Sequence, residues 1–233
     1  MTGALRGWLL LSRLSNLPTI ATNVLASGVI AGGGRITFAD WLPLAVAVSA
    51  IYVAGMVFND VCDVEHDRRL QPNRPLVSGS VTIPGAVAGV IALSAAGLWL
   101  IADAAVDVKG PVAALGLLLT IAAYDLHHKQ NAWAPILMGM CRGLVWVVVA
   151  LALRGRVDAV VLAGATVMVV YVTGLTVAAR RVPAVRPNVP LLIAAISVVD
   201  GLALAATGAW GMALLALAAV PVTLLLQRVI PGD

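Results

Sequence analysis

Apolar runs of roughly 20 residues follow one another with only short polar breaks, and this leaves the chain very few ways to fold. A soluble domain of 233 residues needs a large polar surface, yet 61% of these residues are hydrophobic and only 11% are charged. Mean hydropathy is +1.00. The sequence therefore reads as a polytopic membrane protein. Its runs are continuous and lack the two-residue alternation of a membrane barrel, so the spans are helices and the fold class is all-α. Breaks at Gly, Pro and charge clusters place about eight spans, near 14–33, 41–60, 83–102, 111–127, 132–153, 158–179, 189–207 and 210–229. Residues 1–233 are expected to form a single transmembrane helical-bundle domain.

Charge sets the orientation. The N-terminal segment, the loops after spans 2, 4 and 6 and the C-terminal end hold Arg6, Arg13, Arg68, Arg69, Arg74, Lys129, Arg180, Arg181, Arg186 and Arg228. The opposite loops hold only Arg35, Lys109, Arg154 and Arg156. The positive-inside rule then puts both termini on the cytoplasmic side, with an inner bacterial-type membrane as the expected location. The net charge of +4 fits loops facing anionic lipid, and no nucleic-acid partner is expected. Arg6 and Arg13 lead into an apolar run without a cleavage pattern, which reads as the first permanent span. Cys62 and Cys141 are placed for neither a disulfide nor a thiolate metal site.

Chemistry concentrates in Asn59-Asp60-Val61-Cys62-Asp63-Val64-Glu65-His66-Asp67, where span 2 ends. Four of the chain's eleven acids lie between Asp60 and Asp67. Asn59, Asp63 and Asp67 recur every four residues and share one helical face, with Asp60 one step aside. Carboxylates stacked where a helix leaves the bilayer are costly unless they hold a cation. Hard oxygen donors suit Mg²⁺, whose shell is usually completed by water and substrate phosphate. The orientation above puts this motif on the cytoplasmic side, where soluble diphosphates and Mg²⁺ are found.

Other polar residues gather at the same end. Arg68 and Arg74, in a loop carrying Pro72, Pro75 and Gly79, can grip phosphate oxygens or anchor to lipid headgroups. Tyr124 is an interface anchor or a hydroxyl aimed at a leaving group, and Lys129 offers a point charge. His127 and His128 point apart on a helix and lack a third ligand. Arg142 lies inside span 5, where a guanidinium costs roughly 3 kcal/mol, so it needs a polar cavity or a carboxylate such as Asp63 or Asp67. Arg13, Asn16 and Asn23 share a face of span 1, turned to a cavity or to helix–helix hydrogen bonds.

With Asn59-x-x-x-Asp63-x-x-x-Asp67, Asp67-Arg68 and Arg74-Pro75-Leu76-x-Ser78-Gly79, the chain resembles the UbiA superfamily of intramembrane prenyltransferases. Arg13-Leu14-Ser15-Asn16-Leu17-Pro18-Thr19 with Asn23 is similar to that family's first helix, and Tyr124 with Lys129 to its second cytoplasmic loop. The likeness covers about the first 150 residues; Cys141-Arg142-Gly143 is similar to short bacterial EboC-like members. The resemblance implies a bundle around a lipid-accessible cavity and Mg²⁺-dependent transfer of an isoprenyl group from its diphosphate to an aromatic or other lipophilic acceptor. It implies that Asn59, Asp63 and Asp67 hold Mg²⁺ with Asp60 as helper. Arg13, Asn16, Arg68, Arg74 and Lys129 would bind diphosphate, and Tyr124 and Lys129 would serve the leaving group.

One departure stands out. The family carries a second aspartate motif after span 6, whereas Tyr171-Val172-Thr173-Gly174-Leu175-Thr176-Val177-Ala178-Ala179-Arg180-Arg181 contains no acid. Either Arg180 and Arg181 bind diphosphate directly in place of a metal, or the chain binds or moves a lipid diphosphate or lipophilic product without turnover. Allylic chemistry also needs a dry cavity with π-faces, for which Trp146 and Tyr171 are candidates. A CDP-alcohol phosphotransferase is excluded because its Asp-Gly-x-x-Ala-Arg pattern is missing. A generic ion transporter is set aside because no acid is read in mid-span.

Overall fold

The computed structural model describes residues 3–127 and 131–232. Among them the chain folds into α1 (Gly3–Ser12), α2 (Leu17–Ala31), α3 (Phe38–Leu70), α4 (Ile83–Ala104), α5 (Lys109–His127), α6 (Ala134–Arg154), α7 (Ala159–Arg181), α8 (Val189–Ala194), α9 (Ile196–Ala206) and α10 (Trp210–Gln227). Seven helical segments are long and apolar enough to cross a membrane. Pro183–Ala194 and Ile196–Ala206, bent by 45° at their junction, are together long and apolar enough for an eighth crossing, as a broken span or a re-entrant loop. The protein is an integral, multi-pass, all-α membrane protein.

Local sequence explains most helix ends. Thr37 and Thr82 cap α3 and α4 by accepting hydrogen bonds from the amides of Asp40 (3.1 Å) and Gly85 (3.2 Å). Gly155 ends α6 in the left-handed conformation, φ 62°. Prolines 183, 187 and 190 lack amide donors, so the chain enters this bent segment through a 3₁₀ turn. Span 2 runs longer than its apolar stretch: α3 continues 33 residues and carries the acidic motif on its last turns.

Two of the apolar clusters among the described residues make the centre of the bundle. Ile20, Val48, Ile51, Leu117, Val145 and Val149 join α2, α3, α5 and α6. The second surrounds Trp146, which is fully buried among Ala26, Val29, Ala165, Leu204 and Ala213. Trp146 therefore packs the bundle and offers no π-face to a cavity, contrary to the expectation from sequence. Its ring lies where a Cβ at Gly164 would go. Gly164→Ala is expected to destabilise the protein by about 1–3 kcal/mol, read as a lower unfolding temperature in detergent, because a fully buried indole has no room to retreat.

Candidate active site

At one end of the bundle, α2, α3, α5, α6, α7 and the α8–α9 bend enclose a cavity of about 230 Å³. Its walls are aliphatic, with Val48, Ile51, Leu117, Ile121, Val145 and Ile196. Its polar groups include Arg13, Asn16, Tyr52, Tyr124, Asp125 and Arg142.

Arg13 sits at the break between α1 and α2 with left-handed backbone angles, φ 44° and ψ 45°. A residue with a Cβ pays roughly 1–2 kcal/mol for that conformation. The break brings its guanidinium to Asp60, 3.1 Å away on α3. Arg74 reaches the same oxygen at 2.8 Å, and its Nε lies 3.7 Å from Asp67. The Arg74 loop is pinned by Leu76 and Val81, buried against Leu11, Val57 and Ala86, and it turns at Gly79 with φ 76°. Two guanidinium groups thus balance two buried carboxylates, Asp60 and Asp67, each 4% exposed. The arginine side chains keep 16% and 25% of their surface accessible, so each can take a phosphate oxygen while remaining on Asp60.

Asp60, expected beside the metal, is committed to Arg13 and Arg74 because its helical face meets them and not the cavity. Arg68 forms an exposed pair with Glu65 at 2.6 Å, since residues three apart share a helix face. Asn16 lines the cavity, but its amide donates to the Tyr52 hydroxyl (3.0 Å) and the Gly232 carbonyl (2.8 Å) and accepts from Gln227 (3.1 Å). Arg180 lies near enough to Tyr124 to act on its hydroxyl electrostatically, while Arg181 is exposed at the end of α7. Lys129 lies outside the described residues. Tyr171 donates to the Leu192 carbonyl at 2.8 Å and packs with Met168 and Ile196, so its hydroxyl ties α7 to the bent segment.

Asn59 turns to a different neighbour from Asp60. Its amide donates to Asp125 on α5 at 3.0 Å, and Asp125 is 4% exposed. The sequence signal for Asp125 is its place directly after Tyr124.

Arg142 meets neither Asp63 nor Asp67. It stacks over the Tyr52 ring at 5.6 Å and donates to Thr19 (3.1 Å) and Asn23 (3.4 Å). Asn23 in turn donates to Asp200 at 2.8 Å, and Thr22 donates to Asp200 at 2.7 Å. Asp200 is fully buried on α9. An acid therefore does lie in mid-span, contrary to the sequence reading. A single carboxylate among Ile, Val, Leu and Ala barely lowers the hydropathy of a span.

Among the described residues, no three His, Cys, Asp or Glu side chains converge into a ready metal cage. The donor set nevertheless fits Mg²⁺ on a diphosphate, which needs only one or two carboxylates and takes the rest of its shell from water and phosphate. Asn59, Asp63 and Asp67 offer hard oxygen donors on one helix, beside Asp125.

The profile of the UbiA prenyltransferase family matches residues 20–230. The chain belongs to the UbiA prenyltransferase family. Its relatives include the protoheme IX farnesyltransferase of Pectobacterium carotovorum, 28% identical over 123 residues, which cover 52% of this chain and 42% of that protein. The protoheme IX farnesyltransferase of Baumannia cicadellinicola is 27% identical over 134 residues, 57% of this chain and 45% of that protein. The chain thus spans less than half the length of these curated relatives. Among solved structures, a digeranylgeranylglyceryl phosphate synthase aligns over 95% of this chain and 96% of its own, with TM-score 0.63 and 16% identity. A UbiA homologue from Archaeoglobus fulgidus, bound to DMAPP and Mg²⁺, aligns over 94% and 87%, with TM-score 0.58 and 15% identity. At these identities the likeness establishes the UbiA fold.

Proposed function

We propose that this UbiA-family protein transfers an isoprenyl group from an allylic diphosphate to a lipophilic acceptor inside the membrane. The observation that carries the reading is the junction of an aliphatic cavity with a charged rim, Arg13 on one side and Asp125 with Asn59 on the other. A prenyl tail fits the first and a diphosphate the second. Farnesyl transfer by the curated relatives and DMAPP with Mg²⁺ in the Archaeoglobus structure support the same chemistry. Residues 1–233 act as one domain, with the rim on the cytoplasmic side by the distribution of Arg and Lys.

In this mechanism Asn59, Asp63 and Asp67 hold Mg²⁺, which supplies positive charge to the diphosphate when bound. Arg13 and Arg74 enter already oriented by Asp60, so little freedom is lost when they meet phosphate. Breaking the allylic C–O bond gives the diphosphate its bonding pair, and the resulting charge is met by these fixed guanidinium groups. Arg180, near Tyr124, adds a cation from the end of α7, where residues 171–181 contain no acid. The aliphatic walls exclude water from the allylic cation until the acceptor carbon or heteroatom attacks it and then releases its proton.

The acid-free end of α7 favours one rival, a relative that binds a lipid diphosphate or carries a lipophilic product without turnover. Membranes containing the protein and labelled allylic diphosphates of several chain lengths separate the two. Pyrophosphate release that stops when EDTA removes Mg²⁺ and falls about 10- to 100-fold in Arg180→Ala supports transfer. Saturable binding with no release, across a broad acceptor panel, supports the rival.

A further inference from the structure

We propose that Asp125 is a positioning residue, fixing the orientation of the Asn59 amide so that its carbonyl oxygen serves the cation–diphosphate site. The inference rests on the function proposed above. An asparagine amide has a donor end and an acceptor end, and only the acceptor end can meet a cation. Here the donor end is engaged: Asn59 Nδ2 gives a hydrogen bond of 3.0 Å to Asp125 Oδ1. With its NH₂ group on Asp125, the amide turns Oδ1 away from that carboxyl group. Asp125 is 4% exposed and lines the cavity, which leaves bulk water little opportunity to compete for that bond.

The placement also brings the site an acid from outside α3. The end of α7, residues 171–181, contains no Asp or Glu. Asp125 brings a carboxylate to the acidic motif of α3 from α5, a different helix. Outer-sphere carboxylates that orient a metal's ligands commonly set affinity by 10- to 100-fold.

The test uses the full chain in nanodiscs, with Mn²⁺ titrated by EPR in the presence of geranyl S-thiolodiphosphate, an unreactive allylic diphosphate. Asp125→Leu is expected to weaken bound Mn²⁺ about 10- to 100-fold, and Asp125→Asn to fall between it and the parent. Should Asp125→Leu fail to accumulate, Asp125→Asn carries the test. Asn59→Ala and the double variant are expected to lose the same affinity as the stronger single change, because both act through one ligand. Losses that add in the double variant, or Mn²⁺ affinity within twofold of the parent in the Asp125 variants, overturn the inference while Asp63→Ala still abolishes binding. If Asp63→Ala also leaves Mn²⁺ bound, the assignment of the α3 motif as the metal site fails with it.

Discussion

Membranes carrying Asp63→Ala are expected to release pyrophosphate from an allylic diphosphate at least about 100-fold more slowly than the parent, with residual release no longer responding to Mg²⁺. The motif's four acids do not share one task. Asp60 is buried under Arg13 and Arg74, Asp67 lies beside Arg74, and Glu65 is paired with Arg68 at the surface. Asp63 stands one helical turn beyond Asn59, on the same face of α3 and a step away from Asp60. Asp60→Asn should therefore behave differently. Removing its charge frees Arg13 and Arg74 from their shared anchor, so diphosphate binding weakens while the Mg²⁺ requirement persists. Equal loss of Mg²⁺ response in the two variants would show that the motif works as one undivided metal site. The measurement is pyrophosphate release against Mg²⁺ concentration for parent and both variants.

The spans and the acidic face were legible because both rest on short-range patterns. Apolar runs of bilayer length and carboxylates four apart need no tertiary knowledge. The bend between Pro183–Ala194 and Ile196–Ala206 was not legible, because the run near 189–207 reads as one continuous apolar segment. What the sequence hid were partnerships between distant residues. Nothing local to Asn59 indicates that its amide meets Asp125, 66 positions later. Nothing local to Asp60 says that it faces two arginines while its neighbour Asn59 faces α5; a rotation of roughly 100° per residue separates their surroundings. Trp146 and Tyr171 were read by composition as cavity aromatics, yet the ring that meets a cation is Tyr52, beneath Arg142. Which aromatic lines a cavity depends on helix rotation, which hydropathy does not record.

Replacing Asp200 with Leu is expected to cost about 3–5 kcal/mol, enough to leave little folded protein after extraction. Asp200 is fully buried and accepts hydrogen bonds from Thr22 and Asn23, and the Ser197 hydroxyl lies 3.1 Å from that of Thr22. Arg142 approaches the same network from α6 through Asn23. The network ties α2, α6 and α9 together inside the bundle, where Thr22, Asn23, Ser197 and Asp200 are all buried. Without the carboxylate, the guanidinium keeps its charge in the span with only hydroxyl, amide and ring contacts to offset it. Arg142→Met combined with Asp200→Leu should recover part of the loss, since neither charge then stands alone. Unfolding temperatures and monodisperse yield in detergent for the parent, both single variants and the double variant form the cycle. Additive losses would mean that the two charges are held independently; recovery in the double variant identifies the pair as one electrostatic unit joining three spans.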